Sequence, residues 1–283
     1  MTGPSGTARP ARPAGAAGVA GPAGFAAAVT AAYDATGTAW ARGAARVYDR
    51  LAEELVGASP VPLAGRLVLD VGAGTGAAAR AVARRGGRPV RLDRSAGMLR
   101  AGDGRSPRLV ADATALPVAD GSVDGAVAAF SLNHLPSPHA GLRAMRRACR
   151  RGSPLLAAAY AAEDDHPAKA AVERAATEAG WRPPPWYADL RTSVVGQLAT
   201  VDGMAVATHR AGVAGEVERL DVTLDGLGPD DLVAWRLGMA QLAPFLATLG
   251  PSDRRRVARR ARRLLGETAP PLRRSLVTLR AIV

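Results

Sequence analysis

The stretch Leu67-Val68-Leu69-Asp70-Val71-Gly72-Ala73-Gly74-Thr75-Gly76 decides the fold. A short apolar run ending in alternating glycines reads as a buried strand that turns at once into a helix, here Ala77–Arg85. Glycine in such a turn permits positive φ and lets a ligand approach backbone N–H groups that a Cβ would shield. A nucleotide-type ligand is implied. The spacing also fits a dinucleotide fingerprint, with Gly72, Gly74 and Ala77 in its three places. Asp70 argues against a dinucleotide, because a carboxylate at the strand end would face a pyrophosphate at close range, at a cost of several kcal/mol in order of magnitude. A ligand carrying an ammonium and a sulfonium, such as S-adenosylmethionine, would instead be favoured by that charge.

On either side of the turn the pattern alternates strand and helix. Strands are predicted at Pro89–Asp93, Leu109–Ala111, Ala126–Phe130 and Leu155–Tyr160, with helices between them, notably Ala140–Arg151 with Leu142, Met145 and Cys149 on one face. Short strands separated by helices argue for a parallel sheet covered on both faces, with right-handed crossovers. Upstream, Phe25–Val56 reads as helical up to Pro60 and Pro62. Downstream, a helix is expected to about Ala179 and another near Leu190–Thr200. Strands are expected at Met204–His209, Val217–Leu224 and Leu276–Val283. Pro229–Leu249 reads as helical, and a further helix, capped by Ser252 and Asp253, runs to Leu265.

The order Asp-x-Gly-x-Gly-x-Gly after an apolar strand resembles the first motif of the class I S-adenosylmethionine-dependent methyltransferases, and three later landmarks agree with it. Asp93, followed by Arg94, ends the second strand, where the resemblance implies a carboxylate that accepts from both ribose hydroxyls. Met98 falls where an apolar side chain packs on the adenine. Val110-Ala111-Asp112-Ala113-Thr114-Ala115-Leu116-Pro117 is similar to the third-strand motif, which implies that Asp112 accepts from the adenine amino group and that the Ala113 amide donates to the ring. The resemblance covers about residues 65–160. It implies a doubly wound α/β fold with a mostly parallel seven-stranded sheet, N-terminal helices and a helical lid insertion. It also implies a cofactor set of Asp70, Gly72, Ala73, Gly74, Gly76, Asp93, Arg94, Met98, Asp112, Ala113, Ser131 and Tyr48. The expected organisation is a disordered tail over 1–28 and one domain over 29–283. Within it lie a helical cap (29–62), a cofactor core (63–170) and a substrate-side part (171–283) whose lid spans about 229–250.

Methyl transfer needs a nucleophile held about 3 Å from the methyl carbon with water excluded, and a general base only for some acceptors. In such folds the substrate lies beyond the carboxyl ends of the strands, which points to Ser131, Leu132, Asn133 and His134. His134 is the candidate base, since imidazole titrates near neutrality. The segment lacks the Asn/Asp-Pro-Pro-Tyr/Phe pattern of enzymes that methylate adenine or glutamine amide nitrogen. Tyr33 and Tyr48 lie on helices expected to close over the cofactor. Glu163, Asp164, Asp165 and His166 form a polar cluster at the expected rim, and Trp181, Trp186, Trp235, Met239 and Phe245 are available to wall an apolar pocket. The acceptor is expected to be a small molecule of natural-product type.

Composition bounds the alternatives. The lone cysteine, Cys149, and the lack of a Cys/His cluster with ligand spacing predict a reducing compartment and a metal-free mechanism. No run reaches the roughly 18–20 apolar residues of a membrane span, so a cytoplasmic protein is expected. The net charge of +12 rests almost wholly on arginine. Seven arginines crowd 254–263, around the apolar positions Val257, Ala261, Leu264 and Leu265, and leave RNA or protein methylation as an alternative reading. A protein that binds the cofactor without methyl transfer is a third.

Overall fold

The computed structural model describes residues 21–191 and 195–283. Three helices come first: α1 (Pro22–Asp34), α2 (Gly37–Arg42) and α3 (Ala45–Gly57). The alternation then begins with β1 (Leu67–Val71), α4 (Ala77–Arg84), β2 (Arg88–Asp93), α5 (Ala96–Ala101), β3 (Arg108–Val110) and β4 (Gly125–Ala129). It continues through a 3-10 turn (Leu132–His134), α6 (Pro138–Ala148), β5 (Pro154–Tyr160) and α7 (Pro167–Glu178). The last part holds α8 (Pro185–Asp189), α9 (Val201–Arg210), β6 (Gly215–Leu224), α10 (Pro229–Leu237), α11 (Ala243–Thr248), α12 (Pro251–Leu265) and β7 (Leu272–Ile282).

Among the described residues the strands form one seven-stranded sheet in the order β3-β2-β1-β4-β5-β7-β6. The first five pair in parallel, and β7 is antiparallel to both β5 and β6. The order reverses between β1 and β4, so a crevice opens beyond their carboxyl ends, where ligands bind in open α/β sheets. Side chains alternate across the sheet: Val68 enters a layer with Leu51, Leu55 and Val82, while Leu69 and Val71 enter the opposite layer with Leu142, Met145 and Met204. A third cluster joins α7 to α10–α12 through Val172, Ala176, Val233, Leu242, Val257 and Ala261. No helix among the described residues is long and apolar enough to cross a membrane.

Several expectations need correction. Residues 22–28, assigned above to the tail, are the first turns of α1, with Pro22 at its start and Phe25 buried against Leu190; residues 1–20 of that tail lie outside the described residues. The long N-terminal helix is three, because the chain turns where backbones meet: a Cβ on Gly37 would lie 2.5 Å from the Gly97 carbonyl oxygen, and one on Gly43 2.3 Å from that of Ala234. Met204–His209 is helix α9, not strand, since the Thr200 hydroxyl accepts from the Gly203 N–H (3.0 Å) and nucleates it. The helix placed near Leu190–Thr200 is represented by the short α8 and a 3-10 turn (Val195–Gln197), residues 192–194 lying outside the described ones. Pro229–Leu249 breaks into α10 and α11 after Leu237, and α12 starts at Pro251 with Gly250 rather than Ser252 or Asp253 as its N-cap.

Candidate active site

The glycine turn is a device of backbone geometry. Gly72, Gly74 and Gly76 all take positive φ (69°, 54° and 92°), and the Gly72 and Ala73 N–H groups both donate to the Leu92 carbonyl (2.7 and 2.9 Å). A Cβ on Gly72 would lie 2.2 Å from that of Ser131, whose hydroxyl donates to the Val71 carbonyl at 2.6 Å. The turn therefore lies flat against the end of β4. A Cβ on Gly74 would lie 3.2 Å from the Met98 methyl, so the same strategy brings α5 close.

Two carboxylates bracket this turn. Asp70, only 1% exposed, accepts from the Ala79 N–H in the first turn of α4 at 2.8 Å. Burial pushes it up from 3.8 to about 7. Asp93 accepts from the Gly74 N–H through Oδ2 (2.7 Å) and from the Ser95 N–H through Oδ1 (2.8 Å), and burial raises it as well. Asp34, at the end of α1, was not singled out from sequence: its Oδ1 accepts from Ser95 Oγ and Gly97 N, both at 2.8 Å, and so ties the N-terminal helix to the Asp93 loop. No local pattern marks that residue, because its partners lie 61 and 63 positions away.

Asp112 behaves differently. Its Oδ1 accepts from the Thr114 backbone N–H (2.8 Å) and hydroxyl (2.7 Å), its Oδ2 lies 3.5 Å from Arg94, and its neighbours Ala111 and Ala113, not Asp112 itself, line the cavity. The carboxylate is an Asx-turn acceptor at the rim.

One cavity of about 890 Å³ starts at the turn, where Asp70, Gly72, Ala73, Gly74, Asp93, Arg94, Met98, Ala113 and Ser131 line it. Gly76 is not a lining residue; it is the left-handed N-cap of α4. The cavity continues past Tyr33, Tyr48 and His134. His134 Nε2 lies 3.3 Å from the Tyr33 hydroxyl and the rings meet edge to face, while His134 Nδ1 is buried with no hydrogen-bond partner among the described residues. Burial lowers this imidazole from 6.5 to about 4, so it is neutral at physiological pH, and burial raises the Tyr33 phenol. Phe130, directly after β4, has φ 62°, a strained value for a residue with a Cβ.

Most of the far wall, Trp235 and Tyr48 apart, was not anticipated. Phe130 stacks on Tyr160 (4.8 Å between centroids) and meets Tyr48 edge to face (5.5 Å). Arg274 lies over Tyr160 (4.1 Å) and Trp235 (4.9 Å) and pairs with Asp164 at 2.7 Å; both charged side chains are 3% exposed. Asp164 is thus a buried ion-pair partner, not a solvated rim group. His166 likewise turns inward: its Nδ1 accepts from the Ala168 N–H and caps α7, and its Nε2 lies 3.1 Å from the Pro270 carbonyl. A signal for Arg274 existed in the sequence, since it shares a strand face with the fully buried Leu272 and Leu276.

The sheet order and the glycine turn are those of the Rossmann-like methyltransferase fold, and residues 69–157 match the methyltransferase domain family. Demethylmenaquinone methyltransferase of Renibacterium salmoninarum is 39% identical over 131 residues, 45% of this chain and 54% of the relative. The namesake enzyme of Beutenbergia cavernae is 37% identical over 131 residues, covering 45% and 53%. The chain spans about half the length of the curated relatives it matches. A solved candidate methyltransferase of an antibiotic biosynthesis pathway in Anabaena variabilis shares the fold, with TM-score 0.55 and 15% identity over 81% of this chain and 96% of that one. Phosphoethanolamine N-methyltransferase 2 of Haemonchus contortus, solved with S-adenosyl-L-methionine, superposes with TM-score 0.51 at 15% identity, over 82% of this chain and 52% of that one.

Proposed function

We propose that this chain transfers a methyl group from S-adenosylmethionine to a small-molecule acceptor lodged against the aromatic wall. The observation that carries this reading is the continuity of the cavity from the glycine turn to Phe130, Tyr160 and Trp235. At about 890 Å³ it lies within the usual range for ligand sites, and its lining combines apolar and aromatic side chains with many polar and charged ones. The turn fits the cofactor, because Gly72, Ala73 and Gly74 line the cavity with no side chain larger than a methyl group and Asp70 offers a carboxyl group to a cationic ligand.

In this reading Asp93 accepts from the ribose hydroxyls, Met98 and Ala113 flank the adenine, and Ser131 and Tyr48 border the methionine end. Gly72, Ala73, Gly74 and Gly76 shape the floor, and Arg94 with Asp112 closes the rim. Bound S-adenosylmethionine supplies an electrophilic methyl group on sulfur. The protein's own contribution is to orient the acceptor, exclude water and receive a proton. His134 is the residue proposed for the last task, which its neutral state, its contact with Tyr33 and its position on the cavity lining support. The helices over the cavity, α1 and α10, act as its roof, through Tyr33 from one and Trp235 and Arg236 from the other.

The relatives act on demethylmenaquinone by name, but the wall residues Tyr160, Trp235, Arg236 and Arg274 lie outside the matched segment 69–157. An acceptor of the chain's own is therefore proposed, in keeping with natural-product chemistry. Incubation with methyl-labelled S-adenosylmethionine and a host metabolite extract tests this: label should enter a small product, and label in RNA or protein would refute it. His134→Ala should slow turnover at least tenfold while leaving S-adenosylhomocysteine affinity unchanged, within about twofold; undiminished turnover removes His134 from the proton-accepting role.

A further inference from the structure

We propose that the acceptor molecule carries an anionic oxygen group, a carboxylate or a phosphate, seated on Trp235, Arg236 and Arg274; this rests on the methyltransferase reading above.

Four buried nitrogen atoms in this one wall have no hydrogen-bond partner among the described residues: Trp235 Nε1, Arg236 Nε, and Nε and Nη1 of Arg274. All are N–H donors, and all three side chains line the cavity. Buried donors are ordinarily satisfied, so four together call for an acceptor-only partner. The protein supplies too few acceptors here. Arg274 engages Asp164 through Nη2 alone (2.7 Å), and Arg236 engages Glu173 through Nη2 alone (3.1 Å).

The Asp164 carboxylate is fully engaged. Asp164 Oδ2 is shared between Arg274 and Lys169 (3.3 Å), and its Oδ1 accepts from the Ser275 N–H (3.1 Å). Glu163 is taken by Arg219 at 3.1 Å, and Asp165, its side chain 82% exposed, accepts from the His166 N–H and lies 3.5 Å from Lys169. Lys169, Arg236 and Arg274 thus face the interior against Asp164 and Glu173, an excess of one positive charge among the buried and half-buried groups. Charge-assisted bonds to an anion would satisfy the donors and the excess together.

The position suits a planar acceptor. Tyr160 and Trp235 sandwich the Arg274 guanidinium, and Tyr160 in turn stacks on Phe130, which leads back to Ser131 and His134 at the glycine turn. An aromatic acid or aryl phosphate anchored at Arg274 would lay its ring along this wall.

Calorimetry on the full chain saturated with S-adenosylhomocysteine tests the inference, with benzoate and phenyl phosphate as anionic probes and benzamide as the neutral isostere. At least one anion should bind about tenfold more tightly than benzamide, as expected for charge-assisted contacts, and the better one identifies carboxylate or phosphate as the group preferred. Arg274→Gln should abolish that preference without altering S-adenosylhomocysteine affinity. Trp235→Phe, which removes a single donor and keeps the packing, should weaken the anion about threefold and serves if Arg274→Gln does not fold. Failure to bind S-adenosylhomocysteine overturns the methyltransferase reading and this inference with it. Its binding alongside equal affinities for all three probes overturns the inference alone, as does an anion affinity untouched by either substitution.

Discussion

Asp70 and Asp93 stand on either side of the same glycine turn, yet their surroundings set them different tasks. Asp70 is raised to about 7 by burial, so the folded chain holds a proton there more tightly than the unfolded chain does. Between 3.8 and about 7 the folded state binds more protons, and stability therefore falls as pH rises through that window. Asp70→Asn retains an acceptor for the Ala79 N–H, so its melting temperature relative to wild type should climb from pH 4 to pH 8; a flat difference would show that the carboxyl titrates normally. A cationic ligand should also draw the proton off Asp70, so S-adenosylmethionine binding at pH 7 should release protons, seen as calorimetric heats that change with the buffer's ionisation enthalpy. Asp93 is already held by two backbone N–H groups. Asp93→Ala should weaken S-adenosylhomocysteine binding by about 1–3 kcal/mol through lost charged hydrogen bonds. An affinity unchanged by calorimetry would remove Asp93 from the ribose site.

At the scale of elements, the parallel half of the sheet was legible because its strands are buried on both faces and read as apolar runs closed by turn residues. The five parallel strands match the sequence reading to within a residue at most ends, as do α4 and α7. What failed was the part where long-range contacts decide: α1 to α3 bend where Gly37 and Gly43 meet other backbones, and α9 was mistaken for strand because Met204 and Val206 alternate over too few residues to separate the two periods. Helix α12 illustrates a half-legible element. Its apolar stripe was visible, and Val257 and Ala261 are indeed buried against α7 and α10. The use of its charges was not, since Arg260 pairs with Glu178 and Arg262 with Asp230 and Glu267. Val257→Asn should destabilise the fold by about 2–4 kcal/mol, through lost burial and an added unsatisfied polar group, whereas Arg255→Gln on the exposed side should stay within about 0.5 kcal/mol. Comparable denaturation midpoints for the two variants would contradict the orientation of this helix.

The molecule as a whole is a cavity assembled from distant parts: α1, the ends of β1, β2 and β4, the start of α7, and α10 with β7. Ligand binding should therefore stabilise the entire domain. S-adenosylhomocysteine at a hundredfold its dissociation constant adds about 2.7 kcal/mol, which should raise the melting midpoint of a chain this size by about 4–5 °C. No shift at millimolar ligand would argue against a preformed site.

The cofactor half could be read directly from the chain, because its parts are local: a strand, a glycine turn and a helix are contiguous in sequence, and each later landmark closes its own strand. The acceptor half could not. Tyr160, Asp164, Arg236 and Arg274 come from β5, the loop after it, α10 and β7, and none carries a local pattern beyond an arginine on an inward face. Their meeting depends on sheet order and on the packing of α10 and α12 against α7. Long-range packing of that kind, with no periodicity to announce it, also turned Asp164 into a buried ion-pair partner.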